Sequence, residues 1–489
     1  MKTVQLKSIG VRLSNGDTIP IEMHKIRIVQ KVHLLPVEQR LACMQTAGYN
    51  TFLLQSRDCF IDMLTDSGTN AMSDQQLAAM MVSDDAYAGS ESFVRLQKAV
   101  QTVFHQDYVL PTHQGRAAEH IISQVFCRKG TVVPMNYHFT TTRAHVELAG
   151  AAIAELYYPD ALQTKSNNPF KGNLDVGRLE QLIRERGAEN IAYIRMEAST
   201  NLIGGQPFSM ANMRAVKEIA QKFGLLLVLD ASLIGENAFF IKQREAGFAQ
   251  RTVQSIMAEL AGLADISYIS ARKSGSSRGG LIMSNRQDLI AKMRDFVPLF
   301  EGFLTYGGMS SKEIESIAVG LLEMMDEDVA GSSPQQVQFL VRTVERENIP
   351  VVTPAGALGC HIDARAFLPH VPQEQYPAGA LAAAFFIVSG VRSMERGTIS
   401  TDRDPVTGKE LLADMELMRL AVPRRTYTLS HMIFVADRLK WLYQNRHLVG
   451  GLRFVEEPPV LRFFFGRLEP TSDWPAQLMA ACRADFGDM

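Results

Sequence analysis

The sequence predicts an α/β protein: a large domain built on a mostly parallel, doubly wound sheet, plus a smaller α+β domain. Three observations carry this. Residues 190–230 alternate strand, helix and strand at spacings that force parallel pairing. An apolar run at Ile266–Ile269 breaks into a turn rich in Ser, Gly and Arg, then restarts as a second strand at Gly279–Ser284. The chain has 489 residues, of which 46% are hydrophobic and 21% charged, enough for two or three domains with a sizeable core. The expected division is 1–60 as an N-terminal arm and part of the small domain, 61–330 as the large domain, and 331–489 as the rest of the small domain.

Composition excludes several classes. A formal net charge of −2 gives no global attraction to nucleic acid or anionic membrane. The cysteines Cys43, Cys59, Cys127, Cys360 and Cys482 are odd in number and lack metal-ligand spacing. They argue for a reducing compartment and against a disulfide framework or zinc site. The N-terminus lacks a signal-peptide apolar core, and the longest apolar run, 378–388, is too short for a membrane span. The reading is a cytoplasmic enzyme acting on a small molecule, with no nucleic acid or membrane partner.

In chain order, residues 1–50 mix short strand-like and helix-like pieces. Ser73 caps a helix over Asp74–Met81, and Ser90 or Ser92 starts another whose one face carries Phe93, Leu96, Val100, Val103 and Phe104. Tyr108–Thr112 is a short strand that turns through Gln114, Gly115 and Arg116 into an amphipathic helix. A glycine beside a helix N-terminus and an arginine suits a phosphate. A strand over Thr131–Met135 leads to Phe139 and a run of hydroxyls from Thr140. That pattern fits either an aromatic stacked on a flat ring or a capped helix start. A helix over Asp175–Arg186 precedes a strand at 190–201. Ser209 caps a helix that runs to Phe223 and ends at Gly224, and a strand over Leu225–Leu229 closes on Asp230.

Beyond the large domain, a helix is expected from Ser310 to about Asp328, with Ser332, Ser333 and Pro334 turning the chain into the small domain. There the pattern predicts helices near 335–347, 375–389 and after Thr428, and strands near 350–353, 358–362 and 418–422. Arg419 falls mid-strand, where a buried guanidinium needs an anion. A substrate carboxylate and a structural ion pair both fit. Leu461–Phe465 reads as an aromatic strand, and 470–489 shows little pattern. No group of residues has transition-metal spacing.

In doubly wound sheets ligands sit at the carboxyl ends of strands, and Asn201, Asp230 and Lys273 all fall there. A lysine at one strand end, a carboxylate at another and a phosphate-type turn together suit pyridoxal 5'-phosphate. The lysine would bond the cofactor and the aspartate would keep its ring nitrogen protonated.

Longer motifs sharpen this. Met80-Met with Asp84-Asp-Ala-Tyr-Ala-Gly-Ser-Glu91, Pro111-Thr-His-Gln-Gly-Arg116, Phe139-Thr-Thr-Thr142, Asn190-Ile-Ala-Tyr193, Gly204-Gly-Gln-Pro with Ser209-Met-Ala-Asn-Met-Arg-Ala-Val216, and Val391-Arg-Ser-Met-Glu-Arg-Gly397 resemble the β-eliminating lyases. These are the tyrosine phenol-lyases and tryptophanases. The resemblance spans roughly residues 17–467. It implies a fold-type I pyridoxal-phosphate enzyme, a homotetramer (a dimer of dimers), with active sites between subunits. It makes Lys273 the cofactor lysine and Asp230 the partner of the ring nitrogen. Asn201 would meet the phenolic oxygen and Phe139 would stack on the ring. Gln114, Gly115, Arg116, Ser270 and Arg272 would hold the phosphate. Arg419 would bind the substrate carboxylate, with Thr65 and Ser67 nearby. Tyr87 would be the general acid on the leaving ring, and Phe463 and Phe464 would close on it. Thr140 and Arg396 match the tyrosine phenol-lyases, where they address the phenol hydroxyl.

The chain also departs from the family. Leu233 stands where the family has an arginine that helps set the cofactor's protonation. The Ser274–Arg278 loop is one residue shorter and lacks the family's Asp and Asn. The family's monovalent-cation site, expected to take potassium, maps to Gly68 and Asp85, with Arg278 as a substitute charge. The implied reaction is β-elimination of tyrosine or a related aromatic amino acid to a phenol, pyruvate and ammonia. A tryptophanase-type lyase, a diverged pyridoxal-phosphate enzyme (decarboxylation, transamination or oxidation of a modified aromatic amino acid) and a non-catalytic binding homologue are the alternatives.

Overall fold

Residues 10–404 and 407–487 are described by a computed structural model. The chain divides into two compact units. Among the described residues, one comprises 67–161 and 167–334, and the other comprises 10–66, 162–166, 335–404 and 407–487.

The first unit is built on a seven-stranded sheet. Its strands are β1 (Tyr108–Thr112), β2 (Val132–Met135), β3 (Ala152–Glu155), β4 (Ile194–Glu197), β5 (Leu227–Asp230), β6 (Ile266–Ser270) and β7 (Gly280–Ser284). Their spatial order is β1-β7-β6-β5-β4-β2-β3. The central strands read as continuous apolar runs because neither face meets water; all of Leu227–Asp230 is buried. Pairing is parallel throughout β3-β2-β4-β5-β6. Only β7 runs antiparallel, to both neighbours. The expectation of a mostly parallel sheet is therefore borne out, with one reversed strand. In register, Gly280 of β7 stands opposite Thr112 of β1 on one side and Ser270 of β6 on the other. The chain steps outward from β2 to β3 and returns on the other side of β2 as β4. This switch point opens a crevice at the carboxyl ends of the strands.

The local stop and start signals act as their chemistry dictates. Ser73 and Gln76 form a reciprocal capping box on Asp74–Met81. Ser90 caps Glu91–Phe104. Ser209 caps Met210–Phe223, and Gly224 ends it with φ +67°, a left-handed conformation open to glycine at no steric cost.

The second unit carries a three-stranded antiparallel sheet of β8 (Gly359–Asp363), β9 (Met394–Arg396) and β10 (Leu417–Ala421), with β10 in the middle. The helix Pro377–Ser389, buried along its whole length, anchors its core.

Five sequence expectations change. The helix from Ser310 stops at Glu323, and a new one covers Glu327–Arg346. That helix runs straight through Ser332, Ser333 and Pro334, so no turn lies there. Proline's fixed φ is a helical value, and its cost, ~3 kcal/mol, is one lost backbone bond and the crowding of its ring against the carbonyl four residues back. The stripe of buried Val337, Leu340, Val341 and Val344 outweighs it. The run at 350–353 makes only isolated bridges, Val351 to Ile362 and Lys165 to Thr353. Leu461–Phe465 is not a strand but a short helix over Arg462–Phe465. The Asp402 carboxylate accepts the N–H groups of Leu461 (3.0 Å) and Arg462 (3.3 Å), which stabilises a helix start over an extended run. Lastly, Trp474–Phe486 forms a helix with proline in its first turn. Its signal was the spacing Trp474, Leu478, Cys482, all three buried.

Candidate active site

The turn after β6 carries Lys273. Its backbone is pinned from several sides. The Asn70 amide donates to the carbonyls of both Arg272 and Lys273 at 3.0 Å. The Gln76 amide donates to the Gly275 carbonyl at 3.0 Å. The Ser274 hydroxyl reaches the Ser232 carbonyl at 2.8 Å and Glu236 at 3.1 Å. Lys273 Nζ lies 5.1 Å from the centroid of the Phe139 ring. Phe139 is also the N-cap residue of the helix Thr140–Leu148, so the helix-start reading is the one the structure shows. Thr140 is that helix's first residue.

The turn after β1 lies against the same edge. Gln114 bridges to Gly279, and Gly115 opens the helix Gly115–Phe126. A Cβ on Gly115 would fall 2.8 Å from Ser270 Cβ, so only glycine lets the helix N-terminus come this close to the end of β6. Arg272 is the cation here whose pKa is pushed down, first by burial and then by the charges of Arg278 and Arg116. Three guanidinium groups that repel one another beside free helix N–H groups fit a dianionic phosphate ester.

Asp230 ends β5, nearly buried. Its Oδ1 accepts the Ser232 N–H at 3.0 Å. Its Oδ2 accepts Arg195 Nη2 at 2.7 Å and lies 2.9 Å from the Tyr268 hydroxyl. Arg195 also donates to Glu197 Oε2 (3.1 Å) and to Tyr268 (3.0 Å). Glu119 stands 3.9 Å from Arg195 and takes hydroxyl donations from Thr141 and Thr142. Glu197 Oε1 accepts the Asn201 N–H at 2.9 Å, tying Asn201 to the same group. Burial lowers the Arg195 pKa, but Tyr268 and the carboxylates reverse this and hold it well above the ordinary value. Burial raises Glu119 and Glu197, with Arg195 opposing. Sequence reasoning singled out none of Arg195, Glu197, Glu119 or Tyr268. The available signal was Ile194-Arg-Met-Glu197: two charges on a strand with no wet face. Leu233 is buried where the resemblance places an arginine.

In the second unit, Arg419 sits mid-strand on β10, opposite His361 and Met394. It donates to the Leu64 carbonyl at 2.9 Å, next to Thr65 in sequence. Burial pushes its pKa down to about 10, against the pull of Asp66. Phe463 and Phe464 stack tightly, with ring centroids 4.0 Å apart, and Phe52 meets both edge-on. Arg396 ends β9 beside Glu395, whose carboxyl is pushed up to about 7 by burial and by Glu416.

The structure brings Gln114, Gly115 and Ser270 together, joins Phe139 to Lys273, and links Asn201 to Asp230 through Glu197 and Arg195. Tyr87 stands apart on an exposed loop, stacked on Phe303 at 5.0 Å. Asp85 is exposed on the same loop. Gly68 donates its N–H to the Arg272 carbonyl at 2.8 Å, and a Cβ there would lie 2.9 Å from the Arg272 guanidinium carbon. Among the described residues no cluster of three or more His, Cys, Asp or Glu could hold a metal ion, and no helix is long and apolar enough to cross a membrane.

The family profile described as β-eliminating lyase matches residues 62–438. The chain belongs to the β-eliminating lyase family. This β-eliminating lyase is 45% identical to a tyrosine phenol-lyase of Symbiobacterium sp. (strain SC-1), over 92% of this chain and 99% of that one. It is 44% identical to a tyrosine phenol-lyase of Pasteurella multocida (strain Pm70), with the same coverage. Among solved structures, the lyase overlays Sphingomonas wittichii serine palmitoyltransferase with TM-score 0.54 at 14% identity, covering 80% of this chain and 88% of that one. A structure of SPT with PLP gives 0.55 at 14% identity, covering 79% and 87%. At that identity the likeness shows the fold alone: the lyase has the fold-type I architecture.

Proposed function

We propose that this β-eliminating lyase is a pyridoxal-phosphate-dependent carbon–carbon lyase that converts tyrosine, or a related aromatic amino acid, and one water to a phenol, pyruvate and ammonia. The observation that carries the reading is the grouping at one sheet edge of Lys273 over Phe139, Asp230 at the end of β5, and the Gln114–Arg116 turn with Arg272. When bound, pyridoxal phosphate supplies the electron sink that makes the substrate Cα–H acidic and the Cβ–ring bond breakable.

The chain's own groups do the rest. Gln114, Gly115, Arg116, Ser270 and Arg272 hold the phosphate, and Asn201 and Asp230 hold the ring's polar atoms. Arg419 binds the substrate carboxylate through its planar fork, with Thr65 and Ser67 close by in sequence. Lys273 Nζ takes the Cα proton. Thr140 and Arg396 polarise the ring hydroxyl, Tyr87 delivers a proton to the ring carbon that leaves, and Phe463 and Phe464 shut water from the ring.

Pyruvate release from the purified, cofactor-loaded enzyme tests this, with L-tyrosine and L-tryptophan in parallel. Release from tyrosine and little from tryptophan is expected. Release from neither, with cofactor bound, overturns the lyase reading and directs assays to decarboxylation, transamination or oxidation of modified tyrosines, the course that the buried Leu233 favours. In a Gly115→Ala variant the new Cβ drives the turn off Ser270 at a cost of ~1–3 kcal/mol, and cofactor retention falls by about tenfold or more on dialysis.

The same reading includes a homotetramer, a cytoplasmic setting, and potassium at Gly68 and Asp85. Light scattering tests the first. Assays in potassium and in sodium test the last.

A further inference from the structure

We propose that Arg195 is a positioning residue that sets, through Asp230, how firmly the cofactor's ring nitrogen holds its proton. The inference rests on the pyridoxal phosphate reading above and adds to it a part that no motif carries.

The geometry is specific. Asp230 is the carboxylate at the strand end, yet its Oδ2 is engaged by Arg195 Nη2 at 2.7 Å and Tyr268 at 2.9 Å. A carboxylate already bonded to a guanidinium carries less negative charge toward a pyridinium on its other side. Two further carboxylates restrain the arginine: Glu197 at 3.1 Å on Nη1 and Glu119 at 3.9 Å on Nη2. The titratable and charged groups facing Arg195 are Asp230, Glu197, Glu119, Tyr268 and Tyr193, with Lys273 acting on Glu197 from the turn after β6. The Tyr268 hydroxyl accepts from Arg195 Nε, and its single proton serves either Asp230 or Glu119. Ser232 N–H and Tyr268 keep Asp230 oriented when the arginine is removed, so the main loss is charge.

This arrangement also gives Leu233 a context. The resemblance puts at that position an arginine that helps set the cofactor's protonation. Here the side chain is apolar and buried, and a guanidinium reaches the ring-nitrogen carboxylate from strand β4 instead. The strength of the electron sink is thereby governed from behind Asp230.

The test loads the enzyme with pyridoxal phosphate labelled with ¹⁵N in the ring and follows the ring-nitrogen NMR shift against pH. In Arg195→Leu the pH at which the ring proton is lost rises by about one unit, because one cation has gone from beside the carboxylates. In Tyr268→Phe it rises by less. In Glu197→Gln, where an anion restraining Arg195 has gone, it falls. Opposite shifts for Arg195→Leu and Glu197→Gln separate charge tuning from mere damage, which moves both the same way. If Arg195→Leu does not fold, the two milder variants decide alone, and an unchanged or same-signed titration in both overturns the proposal. Wild-type enzyme that binds no cofactor overturns the functional reading, and this inference with it.

Discussion

Replacing Lys273 by alanine is expected to abolish turnover, a loss of at least ~10⁴-fold, because the proposed function gives one side chain both the bond to the cofactor and the Cα proton. The loop itself survives. Its anchors are Asn70, Gln76 and Ser274, and they bind the backbone or neighbouring residues rather than the lysine side chain. The phosphate turn at Gln114–Arg116 is likewise intact, so the variant retains cofactor without a covalent bond. Two readings check this together. Pyruvate release disappears, and borohydride treatment followed by peptide mapping labels Lys273 in the wild type while leaving the variant unlabelled. Full turnover in the variant would sink the assignment.

The second large effect belongs to Arg419. Its guanidinium is buried on the middle strand of its sheet, and burial pushes its pKa down to about 10. A carboxylate arriving there relieves a buried charge and gains a paired, forked hydrogen bond. Arg419→Lys keeps the charge and loses the fork, so kcat/KM for tyrosine falls by ~10²-fold, mostly through KM. Steady-state kinetics beside a denaturant melt separate this from the structural ion-pair reading. If KM is unchanged while stability falls, Arg419 serves the fold and a different group binds the carboxylate.

Sequence and structure agree where the signal is local. Ser73 with Gln76, and Ser209 with Gly224, marked helix ends because capping chemistry acts within three or four residues. Apolar runs that end on Asp230 and Ser270 placed two site residues at strand ends. Agreement fails where distant packing decides. Pro334 reads as a stop, but the buried stripe from Val337 to Val344 carries the helix through it. Leu461–Phe465 reads as a strand until the Asp402 carboxylate, far back in the chain, caps it as a helix. The network behind Asp230 was the largest omission. Glu119, Arg195 and Tyr268 come from three separate elements, and no spacing in the chain announces that they meet.

The register of the reversed strand has a bearing on how such an enzyme can change. Gly280 faces Thr112 and Ser270 at once, so the turn proposed to hold the phosphate and the loop that carries Lys273 leave the sheet from a single rung. Lys273 comes after Ala271 and Arg272 past the fixed end of β6 at Ser270, and residues 274–278 lie beyond it. Ser274 and Gly275 tie the turn to Ser232 and Gln76, so change that leaves Lys273 in place falls on residues 276–278. A lineage can thus rewrite the outer part of the loop and explore new chemistry around an unmoved lysine.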